Sequence, residues 1–478
     1  MDILAVTSEF FPLMKTGGLA DVAGALPAAL RSHDMTMTTL LPGYPIVMEG
    51  LNSVEIVHHY QNFFGGEARL LISHNNHTPL IVLDAPHLYK RPGNPYLSPQ
   101  GKDWSDNAMR FAALARSAAD IGRGIIPHYS PQLLHLHDWQ AALASVYLSE
   151  EQGPKTLLTI HNIAFQGQFP RETFPHLDLP SHRFTTNCLE YYGGLCFMKG
   201  GITCADAITT VSPTYAEEIC TPEYGMGLEG VLRTRRNSLH GIVNGIDEEI
   251  WNPKTDARIS SNYDCEKIKK RFLNKLIIER RFGLERDDGI LHAIVSRLTW
   301  QKGLDIFLEC IDSLMASGAR VAVIGQGEPE LESAFYKVSE RYRGRIGLYI
   351  GYDESLAHML FSGADTILVP SRFEPCGLTQ LYGLRYGCVP IVSRTGGLAD
   401  TVIDANHAAL RAGVATGFQF SPLKADTLLK TLQRAQRLYS DRVAWETMQR
   451  QGMRSDVSWQ VSATAYAAIY RSLVQTKH

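Results

Sequence analysis

Short runs of apolar residues alternate with longer amphipathic segments along almost the whole chain. Each run is bounded by polar or turn-forming residues, which is typical of a strand buried in a parallel sheet. The runs that predict strands in the first half are 3–7, 36–41, 80–84, 133–137, 156–161, 207–211 and 240–243. Those in the second half are 291–296, 320–324, 346–350, 366–369 and 389–392. This alternation predicts an α/β protein with helices packed on parallel sheets.

The helical segments fall between these runs or after the last of them. They are predicted at 107–119, 141–149, 304–315, 356–361, 425–438 and 459–473. The alternation breaks after Val243, where Asn244-Gly245 is a turn dipeptide followed by a polar stretch with no strand before Leu291. The pattern therefore predicts a first domain over 1–243, a second over 244–456 and a C-terminal segment over 457–478. We expect the helix of that segment to cross back to the first domain.

Composition narrows the class of protein. Of the 478 residues, 45% are apolar and 20% are charged, as in ordinary globular proteins with two or three domains. The net charge of −3 gives no general attraction to nucleic acid or anionic lipid, so neither is an expected partner. The cysteines are scattered without zinc-site spacing, and no signal-like start or long apolar run occurs. These features predict a soluble cytoplasmic protein with reduced thiols and no membrane contact.

One short motif occurs twice. Lys15-Thr16-Gly17-Gly18-Leu19-Ala20-Asp21 follows the first predicted strand, and Arg394-Thr395-Gly396-Gly397-Leu398-Ala399-Asp400 follows a strand of the second half. Each copy combines a cation, a hydroxyl, two glycines that allow close backbone approach and the start of a helix, which together suit an anion. Two nucleotide-binding domains that each present such a loop to one diphosphate compound explain the duplication better than a repeat array.

Two loops of the second half carry charged residues at predicted strand ends. Glu374 lies in a loop between a strand and a helix, and the amides of residues 377–379 at that helix start suit a phosphate. Arg297 and Lys302 follow the first strand of this half, so they are placed to converge on one diphosphate. The alternative for Glu374 is a solvated turn residue, and the alternative for Lys302 is a solvated loop lysine.

Two strand ends of the first half carry polar side chains in His135-Leu136-His137-Asp138-Trp139 and in His161-Asn162. His135 and His137 share a strand face, but no third metal ligand of suitable spacing follows them. We interpret Asp138 as a partner for sugar hydroxyls and the Trp139 ring as a surface for the apolar face of a sugar. His161 and Asn162 would point into the same crevice, and the alternative for His161 is a histidine satisfied in the core.

Two nucleotide motifs are absent from the sequence. Gly325-Gln326-Gly327 has Glu330 where the dinucleotide fingerprint needs a third small residue, and no Walker lysine motif occurs. Both hydride transfer and ATP hydrolysis are therefore disfavoured.

The motifs resemble those of the bacterial glycogen synthases, a family shared with the plant starch synthases. The resemblance spans nearly the whole chain and rests on residues 15–21, 137–139, 161–162, 244–247, 297–303, 371–377 and 395–398. It implies a glycosyltransferase-B fold, in which two Rossmann-like parallel-sheet domains face each other across a cleft. The implied reaction is transfer of glucose from ADP-glucose to the non-reducing end of glycogen or another α-1,4-glucan, with retention of configuration and without a cofactor.

The resemblance also implies roles for individual residues. Arg297 and Lys302 would stabilise the departing diphosphate, and Glu374 would orient the donor glucose; Lys15 and His161 are further catalytic candidates. The nucleotide-sugar site would contain Lys15, Gly17, Gly18, Asp21, Tyr352, Cys376, Gly377, Leu378 and Thr379. The sugar and glucan site would contain Asp138, Trp139, His161 and Asn162 of the first domain, and Asn244 at the start of the second. No metal is expected, because cationic side chains neutralise the diphosphate.

One residue departs from the pattern of the related transferases. Tyr382 stands where many related transferases carry a second glutamate, so a ribose contact there does not carry over, and the preference for adenine rests on the resemblance alone. A phosphorylase that holds pyridoxal phosphate, a noncatalytic glucan-binding protein and a nucleotide-sugar epimerase remain alternatives.

Overall fold

The computed structural model describes residues 1–75, 78–150 and 153–475, which form two compact units. Unit 1 contains Met1–Asn244 together with the segment that begins at Trp459, and unit 2 is Gly245–Ser458. Residues 476–478 of the predicted C-terminal segment lie outside the described residues. Among the described residues, no helix combines the length and the apolar character that a membrane span requires.

The strands belong to three sheets. In chain order they are β1 (Asp2–Val6), β2 (Thr36–Pro42), β3 (Glu55–Phe63), β4 (Gly66–Asn75), β5 (Thr78–Asp84), β6 (Leu133–His137), β7 (Lys155–Ile160), β8 (Gln168–Phe169), β9 (Glu190–Tyr191), β10 (Gly194–Cys196), β11 (Ala207–Thr210), β12 (Leu239–Gly241), β13 (Leu291–Val295), β14 (Arg320–Gly325), β15 (Ile346–Ile350), β16 (Thr366–Val369), β17 (Val389–Ser393) and β18 (Phe418–Phe420).

The α-helices of the described residues cover these sheets. They are α1 (Gly18–Leu30), α2 (Pro45–Glu49), α3 (Pro86–Tyr89), α4 (Asn107–Gly122), α5 (Asp138–Leu148), α6 (Phe197–Cys204), α7 (Pro213–Glu218), α8 (Glu229–Thr234), α9 (Arg271–Arg281), α10 (Leu304–Glu309), α11 (Ile311–Ala316), α12 (Pro329–Arg341), α13 (Glu354–Gly363), α14 (Thr379–Tyr386), α15 (Gly396–Thr401), α16 (His407–Ala412), α17 (Ala425–Ser440), α18 (Arg442–Arg454) and α19 (Trp459–Gln475). Short 3-10 helices occupy Arg31–His33, Arg171–His176, Ser181–Arg183, Arg236–Ser238, Ile268–Lys270 and Trp300–Lys302.

Unit 1 is built on a large sheet with the strand order β12-β11-β7-β6-β1-β2-β5-β4-β3. The pairings are parallel from β12 to β5 and antiparallel from β5 to β3. The central strands β1, β6 and β7 are buried along almost their whole length, because a parallel sheet is covered on both faces. Strands β8, β10 and β9 form a small separate antiparallel sheet.

The C-terminal helix α19 completes the core of unit 1. Its side chains Trp459, Tyr466 and Tyr470 are buried in one cluster with Ile3 of β1 and Leu26 of α1. Burying three large aromatic side chains contributes several kcal/mol, at about 25 cal/mol per Å² of apolar surface. The apolar face of α19 is therefore a structural part of unit 1.

Unit 2 contains one parallel sheet with the order β15-β14-β13-β16-β17-β18. One apolar cluster packs α10, α11, α12 and α17 against the sheet. A second cluster packs α9, α13 and α14 against it. The strand order reverses direction at β13 and β16, and such a switch point opens a ligand crevice at the carboxyl ends of the strands.

Several elements differ from the sequence prediction, and two of them have a clear physical reason. The hairpin of β3 and β4 was not expected, because His58, His59 and Gln61 make an edge strand look like a loop; its turn uses positive φ at Phe64 and Gly65. The helix predicted over 304–315 is divided into α10 and α11 at Cys310, whose φ of −101° leaves the helical range and whose thiol contacts a backbone carbonyl of the preceding turn.

Candidate functional site

The unit 2 part of the candidate site lies at the carboxyl end of its sheet. β13 and β16 are parallel neighbours, although β14 and β15 come between them in the chain. The loop with Arg297 and Lys302 follows β13, and the loop with Glu374 follows β16. The sheet order therefore brings these two loops side by side.

Glu374 is held by two side-chain hydrogen bonds. Its Oε2 accepts from Lys302 Nζ at 2.6 Å and from Ser371 Oγ at 2.8 Å. Glu374 is only 7% exposed, whereas Arg297, in the loop after β13, is exposed. The structure thus brings Lys302 and Glu374 into contact and fixes the carboxylate, while Arg297 stays in solvent.

Close backbone packing sets the spacing of the two loops. Gly303 has a φ of +65°, and a Cβ atom there would lie 1.9 Å from the carbonyl oxygen of Pro370. Arg372 binds the carboxylate of Asp305 through two N–H···O contacts of 2.7 and 2.6 Å. A bidentate pair of this kind gives geometric specificity, so the loop after β13 is held against the loop after β16.

The second copy of the repeated motif supports the Glu374 loop from behind. A Cβ atom at Gly396, whose φ is +43°, would lie 2.1 Å from the carbonyl oxygen of Glu374. A Cβ atom at Gly397 would lie 2.2 Å from the carbonyl oxygen of Cys376, and the Gly397 N–H donates to the Glu374 carbonyl at 3.1 Å. The expectation that these two glycines face an anion is therefore wrong, because they face protein backbone.

Residues 376–379 form the turn that opens α14. Gly377 has a φ of +74°, Leu378 and Thr379 are partly exposed, and Cys376 is buried. The Gln380 side chain donates to the carbonyls of Cys376 and Gly377 at 3.0 and 2.9 Å. The positive end of the α14 dipole therefore lies next to the Glu374 loop.

Tyr352 and Tyr382 occupy different surroundings. Tyr352 follows β15 and is 71% exposed, so most of its ring is uncovered. Trp251 is stacked between Tyr382 and His358, with ring centroids 3.7 and 3.8 Å away. Tyr382 therefore has a packing partner at the position where related transferases carry a second glutamate.

The unit 1 part of the candidate site begins with the loop before α1. Lys15 Nζ lies 2.7 Å from the carboxylate of Asp21, and both side chains are partly exposed. Gly17 and Gly18 are exposed, and a Cβ atom at Gly17 would meet no atom within 4 Å. This copy of the motif therefore faces open space.

Sequence reasoning missed the residue that holds this loop. Glu9 follows β1 and is 3% exposed. Its carboxylate accepts hydrogen bonds from the backbone of Thr16 and Gly17 and from the hydroxyl groups of Thr16 and Tyr96. The available signal was an acidic residue three positions after a buried apolar strand, at the carboxyl edge of a parallel sheet.

Asp138 and His161 connect the ends of β6 and β7. Asp138 has a φ of +56°, and its Oδ1 accepts from the backbone N–H of His161 at 2.7 Å. Burial raises the pKa of Asp138 to about 7, and burial lowers the pKa of His161 to about 3. The rings of His161 and His137 share a hydrogen bond of 2.9 Å, and burial also lowers the pKa of His137. Both imidazoles are therefore neutral at pH 7, and the N–H of one ring lies in the hydrogen bond that joins them.

Trp139 lies in the core of unit 1. It is 8% exposed, its ring packs edge-on against Phe111 at 4.9 Å and it also contacts Phe169 and Phe197. A Cβ atom at Gly167 would lie 2.3 Å from the indole. The expectation that this ring offers a face to a sugar does not fit such packing, because the ring is already covered.

Two asparagines complete the residues predicted for the glucan site. Asn162 is partly exposed, and its Oδ1 accepts from the Ala164 N–H at 3.0 Å. Asn244, the last residue of the first stretch of unit 1, is 8% exposed, and its Oδ1 has no hydrogen-bond partner among the described residues. Both are polar groups at strand ends that could bind a hydroxyl.

His135 serves a structural purpose. Its Nε2 lies 2.6 Å from Thr159 Oγ1, and its Nδ1 lies 2.8 Å from the hydroxyl of Tyr470 on α19. In the part of the chain that the structure describes, no group of three or more His, Cys, Asp or Glu side chains is arranged to hold a metal ion.

Comparison with known proteins matches each of the two units to a glycosyltransferase family. Residues 2–234 match the family described as the starch synthase catalytic domain, and residues 277–451 match the glycosyl transferases group 1. The glycogen synthase of Rhodopseudomonas palustris is 55% identical over 475 residues, which cover 99% of this chain and 98% of that protein. The glycogen synthase of Rhizobium johnstonii is 54% identical over 476 residues, which cover 99% of each.

A solved structure agrees with these matches. The catalytic domain of starch synthase IV from Arabidopsis thaliana, bound to ADP and acarbose, has a TM-score of 0.88 and 27% identity, and the match covers 99% of each chain. The two Rossmann-like units and these matches define a glycosyltransferase of the GT-B fold, as the sequence predicted. The chain belongs to the glycogen synthase family.

Proposed function

We propose that this glycogen synthase family member transfers glucose from ADP-glucose to the non-reducing end of an α-1,4-glucan, with retention of configuration. Family membership supports a nucleotide-sugar donor and a glucan acceptor. The ADP in the starch synthase IV structure supports an adenine nucleotide. The observation that carries the chemistry is the contact of Lys302 with the buried Glu374 carboxylate at the carboxyl end of the unit 2 sheet.

Cleavage of the glucose–phosphate bond leaves negative charge on the departing diphosphate. Fixed cations and helix amides next to that charge stabilise the transition state more than the ground state. Lys302, Arg297 and the start of α14 are the groups that we assign to this task, and Lys15 of unit 1 is assigned to the same diphosphate. Glu374, fixed by Lys302 and Ser371, would orient the donor glucose. Tyr352 would stack on the base, with Cys376 to Thr379 beside the phosphates.

The acceptor would bind to unit 1. Asp138, His161, Asn162 and Asn244 are assigned to sugar hydroxyls. Because the pKa of His161 is lowered to about 3, its ring is neutral at pH 7 and contributes a hydrogen bond rather than a charge. A neutral donor suits an uncharged glucan better than an imidazolium does, since a buried charge needs a partner.

The experiment is an initial-rate assay of labelled glucose transfer to glycogen. We expect kcat/KM for ADP-glucose to exceed that for UDP-glucose by at least about tenfold, which needs about 1.4 kcal/mol of differential transition-state binding. Activity should persist in EDTA. Equal or reversed donor preference would overturn the choice of ADP-glucose and leave glycosyl transfer standing. Transfer from glucose 1-phosphate with release of inorganic phosphate, and none from either nucleotide-glucose, would favour a phosphorylase.

The Glu374→Gln variant tests the role of the carboxylate in the same assay. Glutamine keeps the size of the side chain and removes its charge, so we expect the fold to survive and turnover to fall steeply. A fully active variant would reduce Glu374 to a turn residue. A cytoplasmic location and the lack of a cofactor are further proposals, and the absorbance spectrum of the purified protein tests the second.

A further inference from the structure

Glu9 is the most heavily hydrogen-bonded carboxylate of the candidate site. Its Oε2 accepts from the backbone N–H of Thr16 and, at 3.2 Å, from the N–H of Gly17. Its Oε1 accepts from the Thr16 hydroxyl at 2.6 Å and from the Tyr96 hydroxyl. A carboxylate has acceptor positions for about four such bonds. All of them are used here, and three of the four donors belong to the loop that precedes α1.

This arrangement changes what the loop can offer to a ligand. The N–H groups of Thr16 and Gly17 already donate to the Glu9 carboxylate, so they are not offered to an external anion. Lys15, directly before them, keeps a partly exposed amino group whose partner is the Asp21 carboxylate. The group that the loop presents to solvent is therefore the cation, and Glu9 decides where the loop stands.

The Glu9 carboxylate also reaches the other part of the unit 1 site. Its negative charge adds to the effect of burial in raising the pKa of Asp138, so the two carboxyl groups are close enough to interact. Tyr96, which donates to Glu9, also exchanges a hydrogen bond of 2.8 Å with Ser8 Oγ. Glu9 is thus anchored to the strand end on one side and to the loop on the other.

We propose that Glu9 is a positioning residue, whose carboxylate holds the loop before α1 so that Lys15 is placed for the donor diphosphate. The proposal rests on the proposed function, because it uses the role assigned there to Lys15. It assigns Glu9 no contact with the substrate. Its effect on catalysis passes through the loop, in the way that a small misplacement of a catalytic group lowers the rate.

The test is a double-mutant cycle between Glu9 and Lys15, with kcat/KM for ADP-glucose as the readout. We expect Glu9→Ala to lower kcat/KM by about 10- to 100-fold and Lys15→Ala by about 100-fold. We expect the double variant to be no worse than Lys15→Ala within about threefold, because residues that act through one another are not additive. Losses that multiply in the double variant, or a Glu9→Ala enzyme with normal kcat/KM, would overturn the proposal.

Glu9→Gln separates geometry from charge. The amide oxygen of glutamine can accept from both backbone N–H groups, and its N–H groups can donate to the two hydroxyl oxygens. We therefore expect this variant to restore kcat/KM to within about fivefold of the wild type, the scale of one hydrogen bond. A Gln variant as impaired as the Ala variant would contradict a positioning role through the loop.

Two further measurements keep the test decisive. If Glu9→Ala does not fold, Thr16→Val removes one of the loop hydrogen bonds, and we expect it to cost about fivefold in kcat/KM and to add nothing to Lys15→Ala. Glu67→Ala, an exposed acidic residue of β4, is the matched control and should behave as the wild type. If the wild type is active but the losses multiply in the double variant, only the role of Glu9 is overturned. If the wild type does not transfer glucose from ADP-glucose, the proposed function is overturned.

Discussion

Residues 16–21 and 395–400 have the same sequence, Thr-Gly-Gly-Leu-Ala-Asp, and opposite surroundings. Both segments open a helix, α1 in unit 1 and α15 in unit 2. In the first copy the threonine and both glycines are exposed, whereas in the second copy all three are buried. The comparison teaches that the sequence decides the local turn, while the tertiary partner decides whether the turn stays exposed or supports a neighbouring loop.

The amide partners of the two copies show the same contrast. In the first copy, the amides are bound by the side-chain carboxylate of Glu9. In the second copy, Gly397 is bound by the backbone carbonyls of Glu374 and Pro375. The first copy therefore belongs to the exposed surface of unit 1, and the second copy supports the loop that carries Glu374 in unit 2.

The largest expected effect concerns what the second copy supports. Lys302→Ala should lower kcat on the order of 10² to 10³, or about 3 to 4 kcal/mol, as for the loss of one preorganised donor to developing charge. The melting temperature should fall by a few degrees, because Glu374 is buried and, among the described residues, would keep only Ser371 as a side-chain hydrogen-bond partner.

Arg297→Ala is the matched comparison for Lys302→Ala. Because Arg297 is assigned to the same diphosphate, its removal should lower kcat by a similar factor. Because Arg297 is exposed, the melting temperature should not change. Normal turnover in either variant would contradict the assignment of these cations to the diphosphate.

The next effect separates the two copies directly. Gly397→Ala places a Cβ atom 2.2 Å from the carbonyl oxygen of Cys376, so we expect a loss of at least about 2 kcal/mol in the free energy of unfolding together with a loss of turnover. Gly17→Ala meets no atom within 4 Å, and the φ of −157° suits alanine, so its stability should change by less than about 0.5 kcal/mol. Thermal melting of both variants measures the difference, and equal destabilisation would remove the distinction between the copies.

A pH effect distinguishes the neutral part of the site from the ion-paired part. The pKa of Asp138 is raised from 3.8 to about 7 by burial, so the folded protein keeps a proton that the unfolded chain releases. The contribution of Asp138 to stability is therefore fully present below about pH 4 and is lost as the pH rises to about 7.

Asp138→Asn tests this linkage. The asparagine should melt roughly 2 to 6 °C higher than the wild type at pH 8 and at the same temperature at pH 4. A gain of the same size at both pH values would show that ionisation of Asp138 is not the cause.

The smallest expected effect lies in the exposed first copy. Asp21→Asn removes the partner of Lys15, but the pair is partly solvated, so stability should change by less than about 1 kcal/mol. Chemical denaturation measures this. A larger loss would mean that the loop before α1 depends on this ion pair rather than on Glu9.

Much of the fold was readable from the sequence because of burial. β1, β6 and β14 are almost fully buried and mainly apolar, as expected of strands covered on both faces. The edge hairpin of β3 and β4 was missed because edge strands carry polar side chains. The break at Cys310 was missed because the helical spacing of apolar residues continues through it. Only the backbone angles of Cys310 depart from helical values.

The candidate site was readable only in part. The loops with Lys302 and Glu374 could be placed at strand ends, and their contact follows from the adjacency of β13 and β16, which the sequence does not specify. Glu9 was missed because two of its four hydrogen bonds come from backbone amides, which carry no residue signature, and another comes from Tyr96, which is distant in the chain. Trp139 was misjudged because its aromatic neighbours come from separate segments, Phe111 and Phe197 among them.

The return of the chain to unit 1 at Trp459 has a consequence for biosynthesis. A ribosome completes unit 2, which is continuous in the chain, before it makes the helix that fills the core of unit 1. Until then the nascent unit 1 exposes the apolar side chains that α19 will cover, among them Ile3 of β1 and Leu26 of α1. Chaperone binding and aggregation during synthesis should therefore concentrate on unit 1, although its residues leave the ribosome first.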